Sequence, residues 1–161
     1  MTEGKFTRPE LPRFGILKEM EDEDRLHLSD FGEFLPAHPK QQIITNGKPQ
    51  DSLYFVISGV LHVHLSVDGR EKLISRIGAG ESLGEVNLFD PAMASASVTA
   101  QEFSQIWRAN RADLEAFVEA YPKASCVLVS GILAGMSRRI RNMNDRLTDH
   151  ESHNEMLQML H

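Results

Sequence analysis

The spacing of apolar and polar positions changes character three times along the chain. Residues 1–15 hold Pro9, Pro12 and Gly15 without periodicity and are expected to form an irregular arm. From Ile16 to about Phe34, the apolar positions Ile16, Leu17, Met20, Leu26, Leu28, Phe31 and Phe34 are mixed with acids, which predicts one or two short helices. Between Gln41 and Trp107, short β-rich runs alternate with glycines: 41–45, 53–57, 60–67, 72–77, 96–100 and 104–107. Asn46-Gly47 and Asp68-Gly69 are tight-turn pairs, and Gly59, Gly78, Gly80 and Gly84 fall where strands must turn corners. Short strands at this spacing predict a small barrel, sandwich or β-roll.

Beyond Trp107 the period becomes helical. Asn110 is placed to cap a helix over about 111–120, with Asp113 in its first turn, and Pro122 permits a fresh start. Val129, Leu133, Met136, Ile140, Met143 and Leu147 then follow at spacings of 4, 3, 4, 3 and 4. That is a heptad seam, narrower than the stripe a helix needs to cover its own domain. The register continues through His150, Asn154 and Leu157, so the seam weakens toward the end. A homodimer through this helix is expected. The domain is expected to span 16–150, its closing helix starting at about 122, with 151–161 as a tail.

Composition narrows the function classes. The chain has 161 residues, 41% of them hydrophobic, which is enough for one domain with a real core. Its net charge of −6 argues against bulk nucleic-acid binding, which needs Lys and Arg to neutralise phosphates. Cys126 is the single cysteine, so no disulfide can form within one chain and a reducing compartment is the simpler expectation. The first residues hold no apolar core of a signal peptide, and no run approaches the roughly 20 apolar residues that span a bilayer. A cytoplasmic protein without membrane association is expected.

The densest motif is Gly78-Ala-Gly-Glu-Ser-Leu-Gly84-Glu85-Val86, followed by Ala94-Ser95-Ala96 and Val98. Upstream stands Asp51-Ser-Leu-Tyr-Phe-Val-Ile-Ser-Gly59-Val-Leu-His-Val, and downstream come Ala120-Tyr-Pro122 and Met136-Ser-Arg-Arg-Ile140. In order and spacing these pieces resemble the cyclic-nucleotide-binding domains of the catabolite activator protein and of the regulatory subunits of cAMP-dependent protein kinase. The resemblance covers about 16–150. It implies a mainly β fold: an eight-stranded, jelly-roll-like antiparallel β-roll with an N-terminal helix and a long C-terminal helix that pairs two protomers.

The resemblance also assigns roles. Gly84 would allow close backbone approach to a cyclic phosphate, Glu85 would hold the ribose 2′-hydroxyl, and Val86 would continue the short helix that presents free N–H groups. Ser95 and the Ala96 N–H would meet phosphate oxygens. Where the family carries the arginine that grips the phosphate with two prongs, this chain has Ala94. From Ile77 through Trp107 there is no Lys, Arg or His, while Glu81, Glu85, Asp90 and Glu102 are acidic. A remote cation such as Arg76 or Arg70 would have to serve. Met143 and Asn144 match the helix turn that contacts the base in bacterial members; Asn144 is equally a solvated position beside the seam.

Other constellations carry less. His62 and His64 share one face of a predicted strand, as in metal-binding cupins, but no further His occurs before His150 and a metal site needs three or four ligands. Arg138, Arg139, Arg141 and Arg146 read as a solvated flank of the seam, paired with Asp145 and Asp149 across turns. Cys126 reads as core. The residues after His150 are too few for a helix-turn-helix domain, so direct DNA binding is not expected. No catalytic residues, metal ligands or cofactor are assigned, and nothing points to an enzyme. Two readings stand. One is a sensor or regulatory module that takes a small ligand, cAMP or cGMP among the candidates, and signals to an effector protein. The other is a dimeric interaction scaffold that no longer binds nucleotide. A cupin-like metal enzyme is a distant third.

Overall fold

The structure, a computed structural model, describes residues 9–159; the first eight residues of the expected arm lie outside it. A 3-10 turn at Gly15–Leu17 and helix α1 (Asp22–Ser29) come first. Strands β1 (Glu33–Ala37), β2 (Gln42–Ile44), β3 (Pro49–Gln50), β4 (Ser52–Ser58), β5 (Val60–Val67), β6 (Arg70–Gly78) and β7 (Ser82–Leu83) follow. Helix α2 (Glu85–Phe89) then interrupts the sheet before β8 (Ala92–Met93), β9 (Ser97–Ala100) and β10 (Ser104–Asn110). Helices α3 (Arg111–Ala120) and α4 (Pro122–Met159) close the chain.

The expected β-roll is present, with helices at both ends. It is built of ten strands among the described residues, three of them only two residues long. One antiparallel sheet has the order β1-β10-β4-β7, a second β2-β9-β5-β6, and β3 pairs with β8 beside them. Phe34, grouped above with the helical region, belongs instead to β1. Pro36 disguises that strand, and it is tolerated because β1 is an edge. The β5–β6 hairpin turns at Asp68 and Gly69, both at positive φ as a type I′ turn requires.

The first sheet is buried on both faces, which is why Leu53-Tyr-Phe-Val56 reads as a continuous apolar run. Leu53, Phe55, Trp107 and Ala109 pack under the helices with Leu17, Met20, Leu28, Leu114, Phe117, Leu128 and Ile132. Tyr54, Val56 and Ile106 face the roll interior with Leu61, Ile77, Val98 and Ala94. Leu11, from the expected arm, is 2% exposed and belongs to the helical core.

Asn110 caps α3 as its position suggests, its side chain accepting from the Asp113 N–H at 2.9 Å in a reciprocal capping box. Helix α4 runs unbroken to Met159, through residues set apart above as a tail. Its first half lies on the 3-10 turn, so closely that a Cβ on Gly131 would stand 2.0 Å from the Ile16 carbonyl oxygen. Along the expected seam Leu133, Ile140, Met143 and Leu147 are exposed, whereas Val129 is half-buried and Met136 packs on the helical core. Cys126, expected in the core, is exposed, because Ala124, Ser125 and Leu128 supply the inward face of that turn.

Candidate functional site

Strand β7 ends at Leu83, and the chain must reverse at once into α2. Gly84 makes this possible at φ 86°, a left-handed conformation that L side chains resist. A Cβ at Gly84 would also meet the Ser52 carbonyl oxygen at 2.1 Å. The turn drives Glu85 inward, so that it is only 3% exposed. Val86, one residue on, points outward and is 60% exposed.

Glu85 does not stand alone. Arg139, 54 residues away on α4, reaches across the mouth of the roll and donates from Nη1 to Glu85 Oε1 at 3.0 Å. Its Nη2 donates to the Ser82 carbonyl oxygen at 2.6 Å. One arginine thus ties the long helix to β7 and α2 together. Two buried atoms of the pair have no partner: Glu85 Oε2 and Arg139 Nε. An acceptor buried without a donor costs on the order of 1–3 kcal/mol, which leaves Glu85 Oε2 suited to a ligand hydroxyl.

Glu85 and Arg139 line a cavity of about 200 Å³ in the roll. Ile44, Val63, Ile77, Leu83 and Val98 form its apolar floor, and Gly84, Ala94, Ser95 and Ala96 form the side opposite the helix. Ala94 is 5% exposed and packs with the roll core, its backbone pairing with Gly47 and Lys48 at 2.8 and 2.9 Å. Ser95 is exposed and has no hydrogen bond among the described residues. Met143 borders the cavity; Asn144 does not and is exposed.

The structure therefore brings together every cassette residue chosen from the sequence and adds one that was assigned elsewhere. Arg139 is not part of a solvated flank: it is half-buried and paired with Glu85 rather than with an aspartate of its own helix. The signal for it was present. Leu128, Ile132, Gly135, Arg139, Asn142 and Arg146 repeat at 4, 3, 4, 3 and 4, one position before the seam, and this row is the one that meets the domain.

His64 is accounted for by protein partners. His64 Nδ1 lies 2.7 Å from Glu71 Oε2 and Nε2 lies 2.8 Å from Thr99 Oγ1, so both ring nitrogens are engaged. The pKa of His62 is lowered, chiefly by desolvation and then by the positive charge of Arg76 and by His64. Among the described residues no group of three or more His, Cys, Asp or Glu is arranged to hold a metal ion. No described helix is long and apolar enough to cross a membrane.

Comparison with known proteins agrees with this geometry. The family model for the cyclic nucleotide-binding domain matches residues 35–121, more than half of the chain, and the chain belongs to that family. The CRP-like cAMP-activated global transcriptional regulator of Mycobacterium tuberculosis is 30% identical over 108 residues. That match covers 66% of this chain but 46% of the regulator, so the chain spans less than half the length of this relative. Among solved structures, a cyclic nucleotide-binding domain from Methylobacillus flagellatus aligns with a TM-score of 0.76 at 23% identity, covering 81% of this chain and 74% of that one. The Thermus thermophilus catabolite activator protein aligns at 0.70 and 22% identity, covering 85% and 63%. At these identities the two structures establish the shared β-roll fold.

Proposed function

We propose that this protein is a sensor or regulatory module that binds a small ligand in the β-roll and transmits occupancy through α4 to an effector protein. One observation carries the reading: Glu85 is buried at the cavity wall with Oε2 unpartnered, and its other oxygen is held by an arginine of the long helix. A ligand hydroxyl donating to Oε2 would change the field at the same carboxylate that Arg139 grips. Binding at the cassette and the position of α4 are then coupled, because the ligand favours one arrangement of that pair over another. A cyclic nucleotide, cAMP or cGMP, fits the family, the apolar floor and the orphan acceptor.

Self-association of two copies through α4 completes the proposal. Leu133, Ile140 and Leu147, with Met143 half-exposed beside them, lie on one stripe, as a heptad seam requires. No catalytic role is assigned to any residue, and direct DNA contact is not part of this proposal.

The test is calorimetric titration of the protein with cAMP, cGMP and a cyclic dinucleotide. Saturable heat from one of them at micromolar strength supports the sensor. The second reading, an interaction scaffold without nucleotide, is favoured by Ala94, whose methyl group is packed where the family places a cation. No heat from all three would decide for it.

A further inference from the structure

The arginines of α4 do not all serve the roll cavity. Between β6 and the middle of α4 lies a second cleft of about 180 Å³, which adjoins the roll cavity. Arg76 lines it from the strand, and Arg138, Arg139 and Arg146 line it from the helix. At roughly 30 Å³ per water, it has room for about six waters, the scale of a diphosphate group rather than of a single ion.

Arg139 is paired with Glu85, but the other three arginines are not. Among the described residues Arg76, Arg138 and Arg146 form no ion pair, although aspartates and glutamates outnumber lysines and arginines in the chain, 23 to 17. The one carboxylate in the cleft wall, Glu81, is held by its own turn, Oε2 accepting from the Gly78 N–H at 2.7 Å. Arg139 presents a buried Nε without an acceptor. The remaining wall offers Ser75 and Asn142, both hydrogen-bonding side chains. Like charges gathered in a recess repel one another, and guanidinium groups cannot relieve this by losing protons. A bound anion with several charged oxygens would relieve it, because arginine forks match phosphate geometry.

We propose that this cleft binds a small anion carrying two phosphates, held by Arg76, Arg138 and Arg146 with Ser75 and Asn142. It adjoins the cassette cavity through Ser75 and Arg139 but adds Arg76, Arg138 and Arg146, which the cavity lacks, and it does not require a cyclic nucleotide in the roll. Nucleoside diphosphates and cyclic dinucleotides share this chemistry.

The test is calorimetry on the full chain in about 0.1 M salt, where interactions between exposed charges beyond roughly 10 Å are screened. Pyrophosphate is the primary probe, with inorganic phosphate as comparator. Pyrophosphate is expected to bind more tightly than phosphate. The double variant Arg76→Gln/Arg146→Gln is expected to weaken it by at least about tenfold, with an unchanged circular dichroism spectrum. Arg141→Gln, on the same helix but outside the cleft, is expected to leave it unchanged. No pyrophosphate affinity, or an equal loss in Arg141→Gln, would overturn the site. Duplex DNA binding through these arginines without affinity for pyrophosphate would overturn it as well. ADP and a cyclic dinucleotide as further titrants separate the two sources. A parallel cAMP titration keeps the sites apart, because loss of pyrophosphate binding with cAMP binding intact removes the cleft and spares the roll.

Discussion

In the proposed reading, the cassette and the long helix divide between them what a nucleotide phosphate needs. Residues 84–96 supply a left-handed glycine and a buried carboxylate beside the roll's apolar floor, but Ala94 stands where the family carries its cation. Helix α4 supplies Arg138, Arg139, Arg141 and Arg146, and one of them enters the cavity. Shape is encoded locally in the cassette, whereas charge arrives from 54 residues away. In the proposed reading, a cation carried on a separate element couples that element to the cavity, which a cation within the cassette cannot do alone.

The sharpest way to break the cassette side is Gly84→Ala. The new methyl group would meet backbone at 2.1 Å in a left-handed conformation, and a loss of about 3 kcal/mol or more is expected in thermal or urea unfolding. Gly47→Ala, also at positive φ but with open space around it, is expected to cost only about 1–2 kcal/mol.

On the helix side, Arg139→Ala leaves Glu85 buried without its partner. A loss of about 3 kcal/mol is expected, against roughly 0.5 kcal/mol or less for Arg138→Ala. Pairing Arg139→Ala with Glu85→Gln is expected to restore part of the loss, because no uncompensated charge then remains. Additivity of the two single changes in this cycle would mean that the pair is not coupled.

The exposed stripe gives a third lever. Ile140→Glu places a charge on the seam without touching the core, so sedimentation is expected to shift from dimer to monomer with the helical signal retained. An unchanged sedimentation coefficient would remove α4 from self-association.

The smallest expected effect belongs to His62. The unfolded chain takes up a proton at the ordinary pKa of 6.5, and the folded chain only at lower pH, because burial, Arg76 and His64 oppose the charge. Its contribution to stability is therefore full above 6.5 and declines as pH falls through that value. His62→Gln is expected to flatten this slope slightly in unfolding curves between pH 5 and 7.

Much of this comparison could be read from the residues. Short β-rich runs between glycines marked β2, β4, β5, β6, β9 and β10, and Asn110 with Pro122 set the limits of α3 and the start of α4. The two-residue strands β3, β7 and β8 were missed because so short a segment has no period, and β1 because Pro36 interrupts it. The cassette residues were legible because glycine and carboxylate requirements are local. Arg139 was not, since two heptad rows lie one position apart on α4 and the apolar row is the more visible. Only tertiary contact shows that Leu133, Ile140 and Leu147 of the apolar row face outward and that the row through Leu128, Ile132 and Arg139 faces in.

The most direct measurement is a side-by-side titration of the wild-type protein and Ala94→Arg with cAMP. If the cassette is complete in shape and lacks only its cation, the variant binds at least about thirtyfold more tightly, the worth of one desolvated bidentate contact. Equal affinity in the two proteins, with the variant folded, would contradict that account and place the ligand's phosphate elsewhere.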